Sequence, residues 1–394
     1  MDDDRGCGRC GNAVEADEPG CGSCHQARPP EGWPRDPRLG VVVLDRLVLS
    51  RRIGYGATGS VYLAEDREAG GRVAVKLLHH ELTGDPEMVR RFRLEAVLTK
   101  SLDVPQVVPA YDFGQFPDGT HYFTMEYVEG VGLDAVLAKR GTLPLSTVLT
   151  IARQVLAALD VAHSRGVIHR DLKPGNLLLA RDPAGQPMVR ILDFGFARLT
   201  DTRGTAAPGR RLTLGQMVMG TPTYMAPEQA RGSRTLDGRA DLYSLGVILY
   251  RALTGKPPFS GTMEEVLRQH LQTPPAPPSS IWPDVPPAMD AVLLRMLEKD
   301  PDRRQANAAE VLAELGRAFP GGPAAWDPDE MRAGAAPRSE LVRLVDRYVH
   351  GTQSLPALKG HPAARTGRLP WILVAVGATS LAIAVLTWWL LRAG

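Results

Sequence analysis

Two short motifs constrain this chain more than any other feature. They are His169-Arg170-Asp171-Leu172-Lys173-Pro174-Gly175-Asn176 and, a little further on, Asp193-Phe194-Gly195. Between them they supply a carboxylate suited to accept a proton, a lysine, an amide and a second carboxylate. Brought together, these groups can hold magnesium, a triphosphate and an incoming hydroxyl in line for phosphoryl transfer. That chemistry asks the protein for alignment and charge neutralisation rather than covalent help. Any fold the chain adopts must bring the two loops to one point.

Other parts of such a site stand upstream in order. Gly54-Tyr55-Gly56-Ala57-Thr58-Gly59 is weak alone, because 40 of the 394 residues are glycine and the pattern also marks dinucleotide-binding turns. Its flanks decide: Leu47-Val48-Leu49 and Val61-Tyr62-Leu63-Ala64 read as two strands of a hairpin, not as a strand opening a helix. A glycine-rich tip lets backbone N–H groups lie against phosphates. Val73-Ala74-Val75-Lys76 reads as an apolar strand closing on a lysine. Helical spacing from Met88 to Lys100 offers Glu95 as its partner, with Glu81 and Glu87 as competitors.

With Ala226-Pro227-Glu228 and Asp241 added, the chain resembles a eukaryotic-type (Hanks-type) protein kinase of the serine/threonine kind found in bacteria. The resemblance covers about residues 45–318. It implies an α+β, two-lobed kinase fold, with a small lobe over about 45–128 and a large lobe over about 129–318. It also implies ATP with Mg2+ (Mn2+ as the alternative ion) and protein substrates. Asp171 would orient the substrate hydroxyl and accept its proton, Lys173 would steady the transferred group, and Asn176 and Asp193 would hold the metal. Lys76 would grip the α/β-phosphates, held by Glu95 beneath a nucleotide site lined by Ile53, Gly54, Gly56, Gly59, Val61 and Ala74. Met125 would stand behind the adenine, with backbone groups of Glu126 and Val128 meeting its edge. Lys173 and Thr221, which would bridge Asp171 and Lys173, indicate serine/threonine specificity. Asp241 would brace the catalytic loop, and Glu228 would pair with Arg304, or with Arg303 if the register is off by one. Thr200, Thr202, Thr205 and Thr213 lie between Gly195 and Gly220; autophosphorylation is expected there, with Thr213 favoured and Arg170 as receiver. Two departures stand out: Ser101-Leu102-Asp103-Val104-Pro105-Gln106 lacks a His-Pro-Asn, and Thr99 replaces a larger apolar residue, which would loosen the Glu95 helix.

All four cysteines fall in Cys7-Gly8-Arg9-Cys10 and Cys21-Gly22-Ser23-Cys24. Two CxxC knuckles suit one tetrahedral structural Zn2+. Paired disulfides are the rival, disfavoured because a domain that meets cytosolic ATP keeps its thiols reduced. Residues 1–30 form this expected zinc ribbon-like segment, followed by a linker over 31–44. Asp2-Asp3-Asp4 and the lack of a basic cluster speak against nucleic acid as a partner, as does a formal net charge of +2.

From Leu369 to Leu391 no residue is charged, and Trp371, Trp388 and Trp389 lie near the ends. About 20 helical residues cross a bilayer core, so 369–391 reads as one transmembrane helix. Arg365, Arg368 and Lys359 outnumber the single Arg392 of the 392–394 tail. That bias puts the kinase and zinc segments on the cytoplasmic side of the inner membrane, tail-anchored and single-pass. Ala375, Gly377, Ala378, Ser380 and Ala382 give small-residue faces that permit a homodimer. Residues 319–368 read as a Pro/Gly/Ala-rich juxtamembrane linker, interrupted by an amphipathic stretch from Ser339 to His350.

Overall fold

The computed structural model describes residues 27–31, 34–56, 58–194, 222–233 and 235–320, together with 5–6, 13–14 and 19. Cys7, Cys10, Cys21, Cys24, Gly195, the four candidate threonines, Thr221 and the 339–350 and 369–391 stretches lie outside them.

Two short strands open the chain, β1 (Arg5–Gly6) and β2 (Ala13–Val14), paired antiparallel. The small lobe is a six-stranded antiparallel sheet. Its strands are β3 (Val42–Val43), β4 (Leu47–Tyr55), β5 (Gly59–Asp66), β6 (Arg72–Leu78), β7 (Ala110–Gln115) and β8 (His121–Glu126), ordered β3-β4-β5-β6-β8-β7. Alternate side chains serve opposite faces, as a pleated strand requires. Ala74, Leu78, Phe123 and Met125 pack with Phe92 and Ala96 of α1 (Pro86–Leu102). On the other face Leu47, Leu49, Tyr62, Val75 and Leu77 pack with Val43, Leu39 and Val41.

The strand expected to close on Lys76 runs two residues further, so Lys76 sits inside the sheet, paired with Val61 on β5 and Phe123 on β8. The sheet also begins earlier than the boundary drawn at 45. The apolar run at Val41–Val43 folds back onto β4 through a turn in which Leu44 and Asp45 are both left-handed (φ 52° and 58°). Helix α1 starts where Asp85 accepts from the N–H groups of Glu87 and Met88 and Pro86 takes the first helical position. It ends at a left-handed Asp103.

The described part of the large lobe is mainly helical around an apolar core. β9 (Gly130–Gly132) joins the hairpin β10 (Leu177–Arg181) and β11 (Pro187–Ile191) in a three-stranded sheet. Around it stand α2 (Leu133–Arg140), α3 (Leu145–Ser164), α4 (Pro227–Ala230), α5 (Arg239–Thr254), α6 (Met263–Gln272), α7 (Pro278–Ile281), α8 (Pro287–Met296) and α9 (Ala308–Ala318). Helix α5 is buried almost throughout, and the proline-rich run after α6 folds as a loop carrying the single turn α7. Among the described residues α3 alone is long and apolar enough to cross a membrane, and it is instead a buried core helix.

Candidate active site

The loop from His169 to Asn176 is a stretch of backbone pinned from below. Asp241, at the start of α5 and fully buried, accepts from the N–H groups of His169 (2.7 Å) and Arg170 (2.8 Å). Its Oδ2 also meets His163 Nε2 at 2.8 Å. Burial alone would raise this carboxyl, but His163 and the loop amides outweigh it and hold its pKa below the ordinary range. The tie lets Arg170 adopt φ 67°, an unfavourable angle for a side chain with a Cβ. Its carbonyl in turn accepts from Gln229 Nε2 at 2.7 Å. His169 is buried and packs on the Phe194 ring (4.8 Å between centroids), which fastens this loop to the Asp193 segment.

Above the loop, Asp171 is half exposed and its Oδ2 accepts from Lys173 Nζ at 2.7 Å. Asn176 Nδ2 donates to the Asp171 carbonyl at 2.8 Å, which orients its amide. From the small lobe Lys76 Nζ reaches Glu95 Oε1 at 2.6 Å and Asp193 Oδ1 at 2.8 Å. Neither Glu81 nor Glu87 competes: Glu87 pairs with Arg90 and Arg91 on the surface. Burial works against the charge on Lys76, yet Asp193 and Glu95 together hold its pKa above the ordinary lysine value. Burial pushes Glu95 up despite the pull of Lys76, while Asp193, also penalised by burial, is held below its ordinary value by Lys76. Asp193 sits at φ 45° and is the more acidic, more exposed carboxylate of the two. Thr99, the expected weak point of α1, is buried, and its hydroxyl donates to the carbonyl of Glu95 at 3.0 Å. The helix keeps Glu95 in place.

The glycines divide by cause. A Cβ on Gly59 would lie 2.0 Å from the Leu77 carbonyl oxygen, so the sheet itself demands glycine there. At Gly54 and Gly56 the nearest described atoms would be 3.5 and 3.8 Å away, ordinary contact distances, so packing among the described residues does not demand glycine there. Both suit close backbone approach by a ligand instead. Ile53, Val61 and Ala74 lie on β4, β5 and β6 around this hairpin. Met125 and Glu126 end β8, with the Glu126 carboxylate paired to Arg190 and its N–H bonded to the Pro109 carbonyl. Val128 follows in the connection between the lobes.

Arg304 is the ion-pair partner of Glu228, through two bonds of 2.8 Å, with the guanidinium fully buried. Arg303 points outward to Glu298.

Residues 47–314 match the protein kinase domain family. The chain belongs to the bacterial serine/threonine protein kinases. The kinase is 41% identical over 316 residues to the serine/threonine-protein kinase Pkn1 of Myxococcus xanthus. It is 38% identical over 370 residues to PknA of Mycobacterium tuberculosis, covering 89% of this chain and 82% of PknA. The Pkn1 match covers 77% of this chain and 44% of the relative, and a match to PknB of Mycolicibacterium smegmatis covers 87% and 54%. The chain thus spans about half the length of these two relatives. Among solved structures, the PknI kinase domain of Mycobacterium tuberculosis aligns with TM-score 0.55 at 30% identity, over 71% of this kinase and 98% of that chain.

His163, Gln229 and Phe194 take part in holding the loops, and sequence reasoning gave none of them that task. A histidine near the end of an apolar helix, or a glutamine after Ala-Pro-Glu, carries no distinguishing signal until the fold brings it to the loop.

Proposed function

We propose that this kinase transfers the γ-phosphate of ATP to serine or threonine hydroxyls of proteins. The observation that carries the reading is Lys76 joined to both Glu95 and Asp193, over a catalytic loop whose Asp171, Lys173 and Asn176 are mutually bonded. ATP fits the donor set: Gly54 and Gly56 leave room for phosphates at the hairpin, and Lys76 brings a permanent positive charge. Magnesium fits Asp193 and Asn176, whose oxygens are hard donors, and the ion would neutralise phosphate charge. Asp171 orients the acceptor hydroxyl and takes its proton, and Lys173, beside it, stabilises charge on the transferred group. Thr221 would close this arrangement by bridging Asp171 and Lys173. The test is incubation of the full chain with labelled ATP, Mg2+ and peptides carrying serine, threonine or tyrosine. Label on serine and threonine is expected; label on tyrosine alone would overturn the specificity.

The finer reading follows the sequence. Residues 1–30 hold one zinc through Cys7, Cys10, Cys21 and Cys24; in support, β1 and β2 pair on either side of the first CxxC. Residues 31–44 connect to the kinase domain at 45–318, and 319–368 lead to a single membrane helix at 369–391 in the inner membrane, with the kinase cytoplasmic. Small-residue faces on that helix allow a homodimer. Threonine phosphorylation between Gly195 and Gly220, with Thr213 favoured, switches the enzyme on as part of signal transduction.

A further inference from the structure

The segment just before the kinase motifs is fastened to the glycine-rich strand by a buried polar cluster. Asp36 and Arg52 are both almost wholly buried, and Arg52 Nη1 meets Asp36 Oδ2 at 3.1 Å. Tyr62 Oη donates to the same Oδ2 at 2.9 Å, and the backbone N–H of Arg38 donates to Oδ1 at 2.9 Å. Arg52 and Tyr62 face each other across the β4–β5 ladder. Burial, and then the Asp36 carboxylate, push the Tyr62 phenol well above its ordinary pKa, so it remains a donor. A buried carboxylate is costly to assemble unless it is matched, and here Asp36 is met by Arg52 Nη1, the Tyr62 phenol and the Arg38 amide.

The position of the cluster gives it a task. The register of β4 on β5 slips between Arg52 and Gly54, leaving Ile53 as a bulge with 40% of its surface exposed. Bulges bend a strand and loosen its ladder, and this one turns β4 into the glycine-rich tip. Arg52 is the last paired residue before the bend. We propose that Asp36 is a positioning residue for the nucleotide site, fixing through Arg52 the angle at which the strand delivers Gly54 and Gly56 to the ATP phosphates. The inference rests on the ATP reading above and concerns a residue outside every kinase motif.

A second anchor of the same segment separates positioning from mere attachment. Arg38 Nη2 donates to Asp118 at 2.8 Å and to Thr120 at 2.9 Å, on the β7–β8 turn, and its guanidinium lies over Phe116. These partners hold the segment to the lobe, and none of the three lies on β4.

Steady-state kinetics on the full chain, varying ATP, compares wild type with Asp36→Asn, Asp36→Glu, Tyr62→Phe and Arg38→Ala. Asp36→Asn is expected to raise the KM for ATP about tenfold, the effect of losing one good charged hydrogen bond. Its kcat and the KM for peptide should stay within about twofold of wild type. Asp36→Glu should recover part of the loss, and Tyr62→Phe should raise the ATP KM about two- to threefold. Arg38→Ala should lower thermal stability and leave the ATP KM unchanged. An unchanged ATP KM in Asp36→Asn, or an equal rise in Arg38→Ala, would overturn the proposal. If Asp36→Asn does not fold, Tyr62→Phe decides, and an unchanged ATP KM there overturns it. If wild type binds Mg-ATP without turnover, only the transfer reading fails, and the nucleotide Kd across the same variants decides the positioning claim. A wild type that binds no nucleotide would overturn both.

Discussion

Lys76 carries its charge in a place where burial works against it. Two carboxylates within 2.8 Å keep it protonated, and each is supplied by a different segment, α1 and the strand-end loop at Asp193. Lys76→Met should therefore abolish most phosphate transfer, by about 10²–10³-fold, with the fold retained, as checked by kinetics and thermal melting. The Glu228–Arg304 pair is structural, with a fully buried guanidinium. Arg304→Ala leaves a buried carboxylate without its partner and should cost about 3–5 kcal/mol by denaturant unfolding. His270 is buried, its Nε2 on the Thr223 carbonyl (3.0 Å) and its Nδ1 on the Tyr243 hydroxyl (2.8 Å), and burial with nearby Lys299 depresses its pKa to about 4. The unfolded chain, with an ordinary imidazole, binds a proton first as pH falls. Stability from this group is thus complete above about pH 6.5 and lost as pH drops towards 4, by at most about 3 kcal/mol. An equilibrium stability profile flat over that window would contradict this. Of these residues, Lys76, Glu95, Glu228 and Asp241 were legible in the sequence because their motifs are spaced distinctively. His163, Asp36 and His270 were not, since a lone histidine or aspartate acquires its partners only through tertiary contact.

Strands and helices were legible where apolar spacing or apolar flanks marked them, as in α1 and the β4–β5 hairpin. What escaped was the strand at Val42–Val43, too short to show a period and placed among residues that read as linker. The glycine-rich hairpin shows how one motif serves two physical needs. Gly59 is required by the β5–β6 contact, where an added Cβ would strike the Leu77 backbone. At Gly56 an added Cβ would meet only the Gly59 carbonyl oxygen, at an ordinary contact distance of 3.8 Å. Gly59→Ala should destabilise the small lobe, lowering the melting temperature by several degrees, because a backbone carbonyl cannot give way cheaply. Gly56→Ala should melt like wild type and raise the KM for ATP. Equal melting temperatures for the two variants would show that the division is wrong.

At the scale of the whole molecule, the Asp193 segment is held by both lobes: Lys76 from the small lobe and His169, through Phe194, from the large one. The N-terminal cysteines predict one zinc per chain, and Cys10→Ser should abolish binding as read by metal analysis of purified full chain. The central claim, that the loop pinned on Asp241 presents Asp171 for phosphoryl transfer, is tested most directly by Asp171→Asn in the full chain, measuring Mg-ATP binding and phosphate transfer to a threonine peptide side by side. Unchanged nucleotide affinity with transfer reduced by about 10²-fold or more is the predicted result. Transfer at the wild-type rate in that variant would contradict the account.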